Sequence, residues 1–430
     1  MTNPDEDPGE DAMTFSPDLL AEVRGRFAHV DACPFEGPRI FFENAGGALH
    51  LRSVVETSAL HASLPDNQGR DNPASAALMG IIAQGRADMR LFFGAETGQV
   101  FVGESGTEVL FRLIRTAALG AAPGGAMVAS TLEHPASRSA MTRWAEVTGR
   151  PLRVAVHDDA AGTVGLDAYR PHITPDLRVA CIVHTSPVTG IAVDVPAIAA
   201  AIRAVAPDCF IIVDGIQHAS HGAIDVHACH ADGYAVSPYK VFSRHGYGIG
   251  WASDRLTACP KETVIGGAAT NWEQGTRDSG AYATFSDVVA YLDWLGGRHT
   301  DSTDRRARIL AAAAAIHAQE TALLHAMLHG QGNRRGLAAM PGVTVIGGAG
   351  NPGREGVVSL TLDGMDSAAL VTHLRDRGIR THIRLNDHYC GNVLGPLGLG
   401  SCIRVSVSHY NSPAEVARFL DAMDEAVACA

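Results

Sequence analysis

Between about residues 95 and 255, short apolar runs alternate with segments of helical period. Gln99-Val-Phe-Val, Ala126-Met-Val-Ala, Arg153-Val-Ala-Val, Val179-Ala-Cys-Ile-Val and Phe210-Ile-Ile-Val lack the polar alternation of a half-exposed strand. Strands buried on both faces read this way, and they belong to mostly parallel sheets covered by helices. Between the last two runs, Val195, Ile198, Ile202 and Val205 recur on one helical face, with Asp194 placed to cap and Pro196 in the first turn. The rhythm predicts a doubly wound α/β domain whose ligands bind at the carboxyl ends of the strands.

Beyond about residue 295 the texture changes. Residues 304–329 form one Ala-rich helical stretch, stopped by Gly330, that would reach ~39 Å. Strand patterns at 343–346, 357–362 and 402–407 alternate with helices at about 366–377 and from 413 onward. Ser412, Pro413 and Glu415 make a capping box for the last helix. The expected organisation is a tail and arm over 1–30, a large ligand-binding domain over 31–295, and a smaller α+β domain over 296–430.

Composition narrows the class. Thirty-four Lys and Arg against 46 Asp and Glu give a formal charge of −12. Clustered cations are what a nucleic-acid-coating or membrane-surface protein requires, so neither partner is expected. No run reaches the ~18 apolar residues of a membrane span. The eight cysteines are scattered with no C-x-x-C pair, which fits a reduced, cytoplasmic setting. The opening MTNPDEDPGEDAM is acidic and Pro/Gly-rich, and reads as a disordered tail rather than a signal peptide.

Four features fall where a parallel sheet places functional loops. Phe210-Ile-Ile-Val ends in Asp214, and a carboxylate there is costly unless it meets a cation. Ser237-Pro-Tyr239-Lys240 follows another apolar run, and desolvation of such a lysine suits Schiff-base chemistry. Ser105-Gly106-Thr107 lies between a strand and a helix, where small residues let N–H groups and hydroxyls cradle a phosphate. His134 comes directly after a fourth run. Pyridoxal 5'-phosphate needs all four: a lysine, an acid for the pyridine nitrogen, a phosphate cup and a group over the ring.

In this order the motifs resemble the class V aminotransferase family of fold-type I pyridoxal-phosphate enzymes, and within it the cysteine-desulfurase-like branch. The similarity rests on Glu-Ser-Gly-Thr-Glu (104–108), Glu133-His134, Thr185-Ser-Pro-Val-Thr-Gly190, Val213-Asp214-Gly-Ile-Gln217-His, Ser237-Pro-Tyr-Lys240, Trp272-Glu-Gln-Gly-Thr276 and Arg404 through Asn411-Ser. It runs from about Phe41-Phe-Glu-Asn44 to the last helix, and is more specific for cofactor and fold than for reaction. It implies that Lys240 is the Schiff-base lysine and proton shuttle, that Asp214 holds the pyridinium proton, and that Gln217 bonds the phenolic oxygen. His134 would stack on the ring, with a catalytic part. Ser105, Gly106, Thr107 and Ser237 would hold the phosphate with help from Tyr239. Arg404 would take the substrate carboxylate, with Asn44 beside it. Thr270 and Asn271 would reach the phosphate of a neighbouring subunit, so a homodimer is implied. Pro187 and Tyr239 depart from the family's usual Asn and His, which bears on the reaction rather than on cofactor binding.

The resemblance also singles out Cys390, upstream of Arg404, as the nucleophile that would take sulfur from L-cysteine or a similar substrate, with a sulfur-acceptor protein as a further partner. The plainer reading is a small half-buried thiol. An aminotransferase, epimerase or β-eliminating lyase on another amino acid is the alternative. His218, His221, His227, Cys229 and His230 crowd one segment but match no zinc-site spacing, so no metal is expected.

Overall fold

The computed structural model describes residues 15–430. The expected tail therefore lies largely outside the described residues, whereas the arm contains a helix at Pro17–Gly25 that Ser16 caps.

A seven-stranded sheet forms the centre of the large domain. Its spatial order is Gln99–Gly103, Gly248–Ala252, Gly233–Val236, Phe210–Asp214, Leu177–Val183, Ala126–Ser130, Leu152–Ala155. The last five of these run parallel, and Gly248–Ala252 is antiparallel to both of its neighbours. The sheet is the mostly parallel, helix-covered one that the apolar runs predict. One run differs from the prediction. Leu152–Ala155 is an edge strand rather than a fully buried one, and Val154 is 41% exposed, because no strand covers its outer side.

Helix Val195–Val205 begins at Asp194, whose carboxylate accepts from the Ala197 N–H at 3.0 Å, and it buries Val195, Ile198 and Ile202. Helix Gly106–Gly120 covers the sheet with Val109, Leu110, Leu113 and Ile114.

The second sheet has four antiparallel strands in the order Val343–Val345, Val357–Leu362, Ser401–Ser406, His382–Leu385. Helices Ser367–Arg375 and Pro413–Cys429 pack on it, and the Ser412–Glu415 capping box is formed. Its core, around Leu360, Ile403, Phe419 and Leu420, also takes in Ile40 and Phe42 from far upstream. Ile40–Phe41 pairs in parallel with Ile379–Arg380. Helix Arg305–His329 serves both units: Ile309, Ala312 and Ile316 join the large core, while Leu323, Leu324 and Met327 join the small one.

Candidate active site

The chemistry-bearing residues gather at the carboxyl ends of the central strands. Asp214 ends its strand opposite Val183 on one side and Ala235 on the other, so its side chain emerges in the middle of the sheet. Lys240 closes the 3₁₀ turn Pro238–Lys240, just beyond the Gly233–Val236 strand. A cavity opens there, lined by Thr107, His134, Asp214, Gln217, Ser237 and Lys240 among others.

Its floor is acidic. Asp214 is 3% exposed, and its Oδ2 accepts from the Ser137 hydroxyl at 3.0 Å. Its Oδ1 accepts from the Ile216 N–H at 3.2 Å. Burial raises the Asp214 pKa, and the Ile216 and Ser137 hydrogen bonds and nearby Lys240 only oppose that rise. Among the described residues it has no ion-pair partner, so a cation delivered to the cavity floor would relieve it.

Lys240 Nζ donates to Gln217 Oε1 at 3.0 Å. Lys240 is half-buried, and burial, with Arg404 adding to it, pushes its pKa down to about 7 despite Asp214. A substantial neutral fraction near neutral pH is what a lysine nucleophile needs.

His134 is the N-cap of helix Pro135–Thr148, and its Nδ1 accepts from the Ala136 N–H at 3.1 Å. That bond leaves the ring proton on Nε2. Burial, then Lys240, pushes the His134 pKa down to about 3, so the ring stays uncharged at working pH.

The opposite wall is the start of helix Gly106–Gly120. Ser105 caps it by accepting from the Glu108 N–H at 3.1 Å, and the first-turn N–H groups have no intrahelical partner. The approach is tight enough to demand glycine twice. A Cβ on Gly106 would lie 2.2 Å from the Ser237 hydroxyl, and one on Gly248 would lie 2.3 Å from the Ser105 carbonyl carbon. The cup formed by Ser105, Gly106, Thr107 and Ser237 thus has the donor set and closeness that a phosphate group requires.

Tyr239 lines the cavity and stacks on His245, with ring centroids 4.3 Å apart. Arg404 is 3% exposed. One of its N–H groups donates to the Pro187 carbonyl at 2.9 Å, and its Nε has no hydrogen-bond partner. Among the described residues it forms no ion pair, and burial and Arg384 lower its pKa to about 10. A buried guanidinium in this state is a ready receptor for a carboxylate.

Other expected site residues fall elsewhere. Asn44 uses its amide within the fold: Nδ2 donates to the Ser406 carbonyl at 2.7 Å, and the Tyr410 hydroxyl donates to Oδ1. It anchors the Ala45-Gly46-Gly47 turn, whose Gly46 lies against the Arg404 guanidinium. Thr270 and Asn271 are exposed and lie outside the cavity lining of this chain. Cys390 is 1% exposed, and its sulfur accepts from Arg384 Nε at 3.0 Å. Burial raises the thiol's pKa, with Arg384 opposing. The thiol is absent from the cavity lining, but its loop reaches the site: Tyr389 lies 5.9 Å from the His134 ring, and Arg138 donates to the His388 carbonyl at 2.6 Å.

Several participants carry no strong sequence signal. Ser137 holds Asp214, and its position three residues after His134, on the same helix face, is a faint clue. Thr185 lines the cavity and donates to Glu355 at 2.6 Å. His218, from the crowded histidine segment, meets Glu355 at 3.0 Å and stacks on His184, with ring centroids 3.6 Å apart.

A family model described as "Aminotransferase class-V" matches residues 40–419. A probable cysteine desulfurase of Vibrio cholerae is 25% identical, covering 95% of this chain and 98% of its own. A cysteine desulfurase-like protein of Aspergillus flavus is 26% identical, covering 91% of this chain and 88% of its own. Among solved structures, an apo cysteine desulfurase of Thermococcus onnurineus superposes with a TM-score of 0.78 at 21% identity. It covers 91% of this chain and 95% of its own, and it shares the fold expected from the motifs.

Proposed function

The chain belongs to the class V aminotransferase family, and from that premise we propose a pyridoxal-phosphate enzyme that breaks the C–S bond of L-cysteine or a cysteine-like amino acid. One observation carries the reading: Lys240 and Asp214 line one cavity, Arg404 bonds the carbonyl of Pro187 in its wall, and none of the three has an ion-pair partner among the described residues. The cysteine-desulfurase names of the relatives support the substrate class.

The residues present fit the cofactor. Ser105, Gly106, Thr107 and Ser237 would hold its phosphate, and His134 would cover the ring. Asp214 would meet the pyridine nitrogen, Gln217 the phenolic oxygen and Lys240 the aldehyde carbon. When bound, pyridoxal phosphate supplies an electron sink for negative charge at the substrate's α-carbon. Arg404 then fixes the substrate carboxylate, which orients the α-carbon toward Lys240. The Lys240 amine, with its pKa lowered to about 7, takes and returns the proton there.

We further propose a homodimer. The exposed stretch that carries Val264 (60% exposed) and Ile265 (103% exposed) leads to Thr270 and Asn271, and an apolar surface of this kind suits a subunit contact. A cytoplasmic location and a sulfur-acceptor protein belong to the same reading. No described helix is long and apolar enough to cross a membrane.

A second reading is β-elimination, transamination or epimerisation without a protein nucleophile, and the burial of Cys390 with its raised pKa favours it. The test is to incubate the holoenzyme with a panel of amino acids and identify the products by mass. Alanine with enzyme-bound persulfide from L-cysteine supports desulfuration. Pyruvate with ammonia and sulfide, or a transaminated keto acid, selects the second reading.

A further inference from the structure

A line of buried polar groups leads away from the cavity behind Gln217. Lys240 Nζ donates to Gln217 Oε1 at 3.0 Å. The other end of the same amide, Nε2, meets His221 Nε2 at 3.2 Å. On the far side of the ring, His221 Nδ1 meets Glu320 Oε2 at 2.7 Å. His221 and Glu320 are both 2% exposed, and the other carboxylate oxygen of Glu320 has no partner. His221 thus lies one residue removed from the cofactor site and is tied to helix Arg305–His329, which joins the two cores.

The orientation of the Gln217 amide sets the proton count of the His221–Glu320 pair. At 2.7 Å, one proton must lie between Nδ1 and Oε2. An amide nitrogen only donates, so with Nε2 of Gln217 facing it, Nε2 of His221 must be a bare acceptor. In this arrangement the pair holds one proton. With the amide turned over, Oε1 would face His221, its Nε2 would have to carry a proton, and the pair would hold two.

The group that faces Gln217 from the cavity selects between these arrangements. Free Lys240 in its protonated form is a donor only and therefore selects Oε1. A phenolic oxygen is an acceptor and selects the amide N–H groups. On the reading that pyridoxal phosphate occupies this cavity, we propose that His221 and Glu320 form a proton-coupled latch on Gln217: cofactor loading turns the amide and draws a proton from solvent onto the pair.

The surroundings make room for that proton. Burial disfavours the imidazolium, yet Glu320 and then Glu355 outweigh it and hold the His221 pKa above its ordinary value, with Lys240 opposing. Glu355, on the segment leading into Val357–Leu362, is ionised, its pKa pushed to about 2 against the effect of burial by His218, His221 and Thr185. His409, which follows the Ser401–Ser406 strand, has a pKa lowered to about 3 by burial and so adds no competing cation. His221 and Glu320 are positioning residues that act through Gln217.

The test uses full-length protein with ¹⁵N-labelled histidine, before and after loading with pyridoxal phosphate. Borohydride reduction and mass mapping score the loading independently. His221 Nε2 is expected to change from unprotonated to protonated on loading. Calorimetry in buffers of different ionisation enthalpy should show the wild type taking up about one proton more per site than Glu320→Gln. In that variant the new amide can serve Nδ1 as donor or acceptor, so His221 changes tautomer without proton uptake. A mass-confirmed loaded protein with His221 Nε2 still unprotonated, or equal uptake in both proteins, overturns the latch. Failure of the cofactor to load at Lys240 overturns the underlying reading and the latch with it. Misfolding of the variant leaves the wild-type resonance to decide.

Discussion

The Pro187 carbonyl accepts a hydrogen bond from the Arg404 guanidinium at 2.9 Å, so a residue with no side-chain donor orients a buried arginine. Pro187 also lines the cavity, which sets the guanidinium beside the space a substrate would fill. Arg404→Ala should weaken every α-amino-acid substrate by roughly 2–5 kcal/mol, the range for truncating one member of a buried charge pair. Steady-state kinetics on two chemically different substrates checks this. A loss confined to one substrate would place Arg404 at the side chain rather than at the carboxylate.

Cys390 separates the two proposed chemistries. If its thiolate takes the sulfur, Cys390→Ala should lose persulfide and alanine formation while still binding L-cysteine, because the thiol acts after binding. If the chemistry runs through Lys240 alone, the variant should keep nearly full activity. Product analysis together with the substrate-induced absorbance change distinguishes these outcomes.

Lys240 should weaken the apoprotein in a pH-dependent way. Burial lowers its pKa from 10.5 to about 7, so below about 7 both folded and unfolded states carry the charge and the full penalty applies. Between 7 and 10.5 the penalty fades, since the folded lysine is already neutral. Apo Lys240→Met should therefore be more stable than wild type by roughly 2–4 kcal/mol at low pH, with the gap closing as pH rises. Denaturant unfolding across that range measures it. A gap independent of pH would show that packing, not charge, is responsible.

Glu133 lies beneath the site, fully buried, and accepts from Ser130 and from the Val183 N–H, both at 3.0 Å. Burial raises its pKa from 4.5 to about 8, so its contribution is complete below 4.5 and is lost as pH rises through about 8. Glu133→Gln does not titrate, so its stability relative to wild type should rise across this interval. Unfolding curves at several pH values test this, and a flat difference would contradict a protonated carboxyl.

The sequence shows the floor of the site more clearly than its supports. Asp214 and Lys240 follow runs buried on both faces, so their placement at strand ends could be read from apolarity alone. The Gly248–Ala252 strand is not legible in the sequence because Gly-Ile-Gly-Trp-Ala has little intrinsic strand character. It forms because both of its edges are paired. The His382–Leu385 strand, which carries Arg384 to Cys390, is half-exposed and mixes polar with apolar residues. Glu320 could not be linked to His221 at all, since 99 residues separate them and only the packing of helix Arg305–His329 brings them together. His218 and His221 crowd one stretch of the chain, and only the fold shows that each meets a carboxylate from a distant segment, Glu355 and Glu320 respectively.

The central claim is that Lys240 is the residue that takes pyridoxal phosphate. Borohydride reduction of protein loaded with pyridoxal phosphate, followed by proteolysis and peptide mass mapping, tests it directly. The account predicts the reduced pyridoxyl group on the peptide containing Lys240, with no labelling of that site in Lys240→Ala. A pyridoxyl group on another lysine, or unchanged labelling of the variant, would contradict it.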